Sequence, residues 1–195
     1  MLQGLLFAIN KGAQVVNISA GMMVGDEVHS WPVDQQIEVA RRELLAQEDV
    51  WKYVFDMCEK YYVTIVWAAG NEDVFTALDA SKRGDNTIKV SSVNRQFKKS
   101  EFSNFGNFER RGIYESTVSA PGEKVYGEVP RGESTLIDGT SFSAPIVSGC
   151  VGLMKSLDGS LTTREIIDIF KATGRKVEGS TTIGPVVQIG PALEK

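Results

Sequence analysis

Three short runs of mainly apolar, β-branched residues stand out along the chain. They cover residues 14–19 (QVVNIS), 63–69 (VTIVWAA) and 87–93 (TIKVSSV). The first two do not alternate cleanly between apolar and polar positions, which is typical of strands buried on both faces of a parallel sheet. The pattern therefore predicts three strands of such a sheet.

Segments with helical periodicity separate these runs. Residues 2–11 carry apolar side chains on one helical face, and residues 33–61 have the same spacing. The second segment fits either one helix or two helices with a break near residues 47–49. Further helices are predicted over residues 141–156 and 162–173. The alternation of helices and strands indicates right-handed crossovers and an α/β fold.

Composition changes this picture little. The chain of 195 residues fits one domain, and a net charge of −4 gives no broad basic field for nucleic acid. No apolar run is long enough to cross a bilayer. Cys58 and Cys150 lack the spacing of a zinc site or a disulfide framework, so we expect buried free thiols. A single bridge between the two stays open.

The segment with the clearest chemistry is DGTSFSAPIVSGCVGLM, residues 138–154. A Gly-Thr turn delivers Ser141 at the start of an apolar helix, where unpaired backbone N–H groups and the helix dipole stabilise an anion. Pro145 is expected in the first turn, where proline costs little. The alternative is a capped, buried helix without chemistry, because serine and threonine are favoured caps.

Several segments, in order, resemble the subtilisin-like serine peptidase family (the subtilases). GTSFSAPIVSG resembles its nucleophile motif, and VTIVWAAGNED resembles its strand ending in the oxyanion asparagine. GAQVVNISAG resembles its strand ending in a substrate-binding edge. Further similar segments are TIKVSSVNRQFKKSEFSNFG, SAPG and the tail IGPVVQIGPALEK.

This resemblance implies a fold and a set of site residues. The fold would be a three-layer parallel sheet flanked by helices, with residues 1–195 as a partial peptidase domain. Residues 22–62 would be a family insertion plus a helical region. Ser141 would attack the scissile carbonyl and form an acyl-enzyme, and Asn71 would donate to the oxyanion. The residues expected to bind substrate are Ser19, Ala20 and Gly21 on the edge strand, and Ala68, Ala69 and Gly70 on the wall of the pocket for the residue before the cut.

The chain departs from the family pattern at the other two members of the triad. The family's Asp and His motifs precede the substrate-edge strand, and nothing here matches them. The one histidine, His29, follows that strand and is interpreted as a solvated side chain. We therefore expect the N-terminal part of the domain to be absent and the chain alone to be inactive. The alternative is a non-catalytic peptide-binding module derived from a subtilase. A complete hydrolase of another α/β family would need a GxSxG elbow, which the sequence lacks.

Other expectations follow from the family resemblance or from the absence of the Asp and His motifs. The first strand would present an open edge, a setting for self-association. The insertion would shape specificity or bind a partner; the alternative is an inert surface excursion. No cofactor is identified, and calcium is implied by the family alone. A polypeptide substrate is expected, and a secreted or cell-surface location is expected for the full-length protein.

Overall fold

The computed structural model describes residues 1–42, 45–106, 116–129 and 132–195, with the backbone alone for residues 45–48 and 129. Its elements, in chain order, are α1 (Leu2–Asn10), β1 (Val15–Ile18), α2 (Val33–Arg42), α3 (Leu45–Lys60), β2 (Thr64–Ala68), β3 (Ile88–Val93), β4 (Val118–Pro121), β5 (Val125–Val129), β6 (Glu133–Ile137), α4 (Thr140–Leu157), α5 (Thr163–Thr173) and α6 (Ile189–Leu193). Short 3₁₀ helices cover Asp26–Ser30, Thr76–Leu78 and Ala80–Lys82.

A parallel sheet of four described strands organises the chain. Its order is β1-β2-β3-β4, and β5 and β6 form a separate antiparallel hairpin. The three predicted strands are confirmed. β2 is buried at every residue, as the apolar run predicted. β1 is only half-buried, because it pairs with β2 alone and stands at the edge of the described sheet.

Helices cover both faces of this sheet, which confirms the predicted α/β fold. Ile65 and Trp67 of β2 pack with Leu5 of α1 and with Phe55 of α3. The alternate residues of β2 pack on the other face against α4 and α5. That second core contains Val66, Ala68, Val90, Val147, Val151, Ile166 and Phe170. The period of two along β2 thus separates the two helical layers.

The described helices of the segment 22–62 pack against the rest of the protein. α3 is the crossover helix between β1 and β2, and α2 packs in a third apolar cluster with Val74 and Phe75. The side chain of Gln36 is buried and links α2 by hydrogen bonds to the backbone of two neighbouring segments. Its Nε2 donates to Trp31 O at 3.1 Å, and its Oε1 accepts from Phe75 N at 2.8 Å. α2 therefore packs into the protein, and the role of the insertion stays a prediction.

The described helices refine two local predictions. The two-helix alternative places its break near residues 47–49, but these residues lie inside α3, and residues 43–44 between α2 and α3 lie outside the described residues. Glutamine and glutamate are good helix formers, which explains the continuous helix there. Pro145 lies in the second turn of α4 and not in the first, because the helix begins at Thr140.

The two cysteines are free thiols. Cys58 is buried between α3 and the sheet, and burial raises its pKa to about 11. Cys150 is half-buried, and burial also raises its pKa. Neither thiol is therefore activated as a nucleophile at neutral pH. Among the described residues, no helix has the length and apolar character needed to span a membrane.

Candidate active site

Three chain segments meet where the parallel strands end. Ser19 follows β1, Gly70 and Asn71 follow β2, and Thr140 and Ser141 open α4. The carboxyl ends of parallel strands are where α/β proteins place their ligands. Hydrogen bonds join all three segments, so the residues that the sequence singled out separately lie together.

Ser141 is tied to the end of β1 by two contacts. The hydroxyl of Ser19 donates to Ser141 O at 2.9 Å, and Ser141 Oγ lies 3.4 Å from Ser19 O. Pro145 explains the first contact, because proline has no N–H to donate to the carbonyl four residues earlier. That carbonyl belongs to Ser141 and takes the Ser19 hydroxyl instead. A proline predicted to be harmless therefore shapes the nucleophile turn.

Asn71 is held by the residue that precedes Ser141. Its Oδ1 accepts from Thr140 N and from Thr140 Oγ1, both at 2.8 Å. Thr140 Oγ1 in turn accepts from Gly70 N at 3.1 Å. The carbonyl end of the Asn71 amide is thus fixed at the start of α4. Its Nδ2 has no hydrogen-bond partner among the described residues and lies beside Gly139, where an incoming oxyanion could accept from it.

The turn after β2 depends on Asn104, which the sequence analysis did not single out. Asn104 Nδ2 donates to Ala69 O at 3.2 Å, and its Oδ1 accepts from Glu72 N at 2.9 Å and Val74 N at 3.2 Å. Its side chain also fills the space beside Gly70, whose φ is +119°. A side chain at Gly70 would collide with the Asn104 amide. Asn104 belongs to the FSN segment that resembles the family. Its role could not be read from that segment, because the amide that it accepts from, Glu72 N, is more than 30 residues away in sequence.

Two glycines let the SAPG turn approach the nucleophile turn closely. Gly139 N donates to Gly122 O at 2.7 Å, and Gly139 has a φ of +150°. A side chain on Gly122 would collide with Ser143 Oγ. Ser143 itself is buried and donates to Ala120 O at 3.0 Å. These contacts fix the start of α4 against the end of β4.

The expected substrate-binding residues differ in exposure. Ser19, Ala20 and Gly21 are exposed, so their backbone is available for pairing with an extended chain. Ala68 and Ala69 are buried, and Ala68 packs in the core under α4. Gly70 is half-buried. These three residues offer main chain more than side chains to a ligand.

A buried ion pair lies beside these segments and was missed by the sequence analysis. Lys82 Nζ lies 3.3 Å from Asp79 Oδ2 and donates to Ala69 O at 3.2 Å. Burial raises the pKa of Asp79, but Lys82 and hydrogen bonds from Ser81 and Met22 outweigh it and hold that pKa below its usual range. Burial lowers the pKa of Lys82, while the carboxylates of Asp79 and Glu72 oppose that effect.

No base faces Ser141 within the described residues. The only hydrogen-bond partner of Ser141 Oγ there is the carbonyl of Ser19. His29 lies in the 3₁₀ helix Asp26–Ser30 and is exposed, as expected of a solvated side chain. In the described part of the chain, no three His, Cys, Asp or Glu side chains cluster to hold a metal ion.

A serine at a helix start, an anchored asparagine amide and a parallel α/β sheet define the serine hydrolase class of site. Comparison with known families is specific: the model of the subtilase family, Peptidase_S8, matches residues 1–183. The chain therefore belongs to the subtilase family.

Individual relatives agree with this assignment. The chain is 28% identical over 181 residues to the cell wall-associated protease of Bacillus subtilis (strain 168), covering 93% of this chain and 17% of the relative. It is 28% identical over 179 residues to thermitase of Thermoactinomyces vulgaris, covering 92% and 53%. It is 26% identical over 177 residues to the intracellular serine protease of Paenibacillus polymyxa, covering 86% and 44%. The chain thus spans about half or less of the length of these relatives.

Solved structures share the fold. The prenylagaramide maturation protease PagA matches with a TM-score of 0.69 and 20% identity, covering 98% of this chain and 65% of that one. The self-cleaved protease domain of PatA matches with a TM-score of 0.68 and 20% identity, covering 98% and 64%. At these identities the matches establish the fold alone. The described sheet and helices are those of a subtilisin-like protease domain.

Proposed function

We propose that this chain carries the nucleophile and the oxyanion site of a serine endopeptidase. The observation that supports the proposal most directly is the Asn71–Thr140 contact beside Ser141. It fixes the carbonyl end of the Asn71 amide, and Nδ2 has no hydrogen-bond partner among the described residues. An amide held in this way costs no reorganisation when charge develops on a substrate carbonyl.

The first step would form a bond between Ser141 Oγ and the scissile carbonyl carbon. The carbonyl oxygen becomes an oxyanion that Asn71 Nδ2 and the Ser141 N–H stabilise. The two neighbouring amides already have acceptors, because Thr140 N donates to Asn71 and Phe142 N donates to Gly139. Collapse releases the amine half of the peptide with a proton and leaves an acyl-enzyme on Ser141, which water then hydrolyses. In subtilisin, loss of one such donor lowers turnover by about 10²–10³.

The proton of Ser141 needs an acceptor that these residues do not supply. A backbone carbonyl at 3.4 Å is not a base. We infer that a histidine and an aspartate from outside the 195 residues complete the site. DNA sequence upstream that encodes DxG and HGT-like motifs would support this; its absence would favour a non-catalytic peptide-binding module.

The activity of the chain itself can be tested directly. Purified chain and its Ser141→Ala variant are incubated with an unfolded protein, and fragments are followed by mass spectrometry. We expect equal, background cleavage by both, because a serine hydroxyl without a base is a poor nucleophile. Rapid cleavage that disappears in Ser141→Ala would show that a base lies within the chain.

Binding distinguishes the two candidate functions from an inert fold. Both predict that an extended peptide pairs with residues 19–21, whose backbone is exposed. We therefore expect measurable binding without cleavage in the isolated chain. A secreted or cell-surface location of the whole protein stays a proposal, which fractionation of expressing cells tests. Its calcium dependence is also a proposal, which activity assays of the whole protein with a chelator test.

A further inference from the structure

Lys82 lies between the two segments that flank the expected substrate pocket. Pairing of β1 with β2 ends at Ile18 and Trp67. Just beyond that point, Lys82 Nζ donates to Ala69 O on one segment. On the other segment, Nζ lies so close to Gly21 that a side chain there would collide with it. The ammonium thus fills the space where the two backbones have stopped pairing.

Burial and a network of hydrogen bonds hold the ammonium of Lys82 in this position. The side chain of Lys82 is 2% exposed, and that of Asp79 is 8% exposed. Asp79 Oδ2 also accepts from Met22 N at 3.0 Å, while its Oδ1 accepts from Ser81 N at 3.0 Å and Ser81 Oγ at 2.6 Å. The ion pair therefore binds Met22, next to Gly21, and Ala69 at the same time. Both carboxylate oxygens already have their full set of donors.

A third charge lies close by. Glu72 directly follows Asn71, and its Oε2 accepts from Val24 N at 3.2 Å. Its charge acts on Lys82. A second carboxylate therefore lies within electrostatic reach of the ammonium, in addition to that of Asp79.

We propose that Lys82 determines specificity, by closing the gap between residues 19–21 and 68–70 so that it admits only a short, uncharged side chain at the residue before the cut. A long side chain meets the ammonium itself. A basic side chain meets a cation whose counterion is already occupied, and like charges in a buried site repel strongly. An acidic side chain meets an ammonium whose charge Asp79 already neutralises. The proposal rests on the proposed function, because it concerns the same peptide site.

Peptide binding to the whole 195-residue chain tests the proposal. Four labelled hexapeptides differ only in the residue before the cut, which is Ala, Phe, Lys or Glu, and dissociation constants are measured by fluorescence anisotropy. We expect the Ala peptide to bind about tenfold more tightly than each of the other three. We define the Ala-to-Lys ratio as the affinity for the Ala peptide divided by the affinity for the Lys peptide. In the double variant Asp79→Asn/Lys82→Met, we expect this ratio to fall below about threefold.

A matched control removes the same two charges elsewhere. Lys52 and Asp56 form an exposed pair on α3 at 3.1 Å. The variant Lys52→Met/Asp56→Asn keeps the same net charge as the test variant, and we expect it to retain the Ala-to-Lys ratio of the unsubstituted chain. Lys82→Arg keeps the ion pair. We expect it to keep the preference too, which provides a test even if the double variant does not fold.

The outcomes separate the two proposals. Peptide binding with an Ala-to-Lys ratio below threefold in the unsubstituted chain, or with the same ratio in the folded double variant, overturns the role of Lys82 alone. Loss of the preference in Lys82→Arg overturns the role of its charge. No binding of any peptide by any variant overturns the proposed peptide site, and the role of Lys82 falls with it.

Discussion

Asn104 shows how one side chain can set the geometry of a turn that it does not belong to. Its amide donates to Ala69 O and accepts from Glu72 N and Val74 N, so it replaces three backbone partners that the turn lacks. Asn104 N also donates to Gly70 O at 3.0 Å. Because Asn104 is 7% exposed, water cannot substitute for it freely. Asn71 is therefore positioned from both sides, by Thr140 and by the turn that Asn104 holds.

The Asn104 clamp predicts a large effect of truncation. Asn104→Ala removes three hydrogen bonds and leaves the amides of Glu72 and Val74 without their acceptor, while Ala69 O keeps the bond from Lys82 Nζ. We expect the free energy of unfolding to fall by roughly 3 kcal/mol, at about 1 kcal/mol for each lost bond. Asn94 offers a matched control, because its side chain also caps two amides but is more exposed. Asn94→Ala should cost less than about 1 kcal/mol. Urea unfolding measures both, and equal losses would contradict the clamp.

The lowered pKa of Asp79 predicts that the free energy of unfolding depends on pH in the acid range. Its pKa in the folded protein lies below its usual range, because Lys82 and two neighbours outweigh burial. The carboxylate therefore stabilises the fold above about pH 4, the ordinary pKa of aspartate, and this stability is lost as pH falls through the lower folded value. Between pH 5 and pH 2, we expect a steeper fall in the free energy of unfolding for the unsubstituted chain than for Asp79→Asn. Parallel curves from urea titrations would contradict this.

At the scale of elements, Pro145 links helix α4 to strand β1. It removes the amide that would bond Ser141 O, and the hydroxyl of Ser19 takes that acceptor across 122 positions of sequence. Ser148 continues the link, since its hydroxyl donates to Asn17 Oδ1 at 3.0 Å. The end of β1 and the first three turns of α4 are thus held in one orientation. The proposed substrate edge follows β1, and the proposed nucleophile lies on α4.

If Pro145 is substituted, we expect two donors to compete for Ser141 O, the new amide at position 145 and the hydroxyl of Ser19. In Pro145→Ala, the restored amide bonds to Ser141 O within the helix, and we expect the chain to gain about 1 kcal/mol in stability. Ser19 then loses its acceptor. Hydrogen exchange should show a protected amide at position 145, and urea unfolding should show a higher midpoint. An unprotected amide with an unchanged midpoint would show that the Ser19 contact persists and that the proline is neutral.

Element-scale features were the most predictable from sequence. The apolar run around Ile65 predicted a strand because both of its faces are buried, and Thr162 predicted the start of α5, where its side chain forms a capping box with Glu165. β4, β5 and β6 were not predicted as individual strands, since four or five residues give little periodicity. The Asp79–Lys82 pair could not be predicted. Its partners Met22 and Ala69 come from distant segments that only the fold brings together.

At the scale of the molecule, the two edges of the sheet differ. The outer edge of β4 is covered, because Ser119 N donates to Pro185 O and Val187 N donates to Ser119 O. The outer edge of β1 has no such cover in the described chain. α4 adds exposed apolar side chains, with Ile146 41%, Leu153 53% and Leu157 71% exposed. We call the free edge of β1 together with these three side chains the open face.

The open face predicts self-association of the isolated chain. A free strand edge and adjacent apolar surface favour pairing between copies, so we expect sedimentation velocity to show dimers or larger species at tens of micromolar. Leu153→Glu places a charge on this face, and we expect it to shift the chain toward monomer without a loss of stability, because the residue is half exposed. Tyr126→Glu on the β5–β6 hairpin is the control, since Tyr126 is 72% exposed and lies outside the open face. A compact monomer at high concentration, or equal effects of both substitutions, would show that copies do not meet through this face.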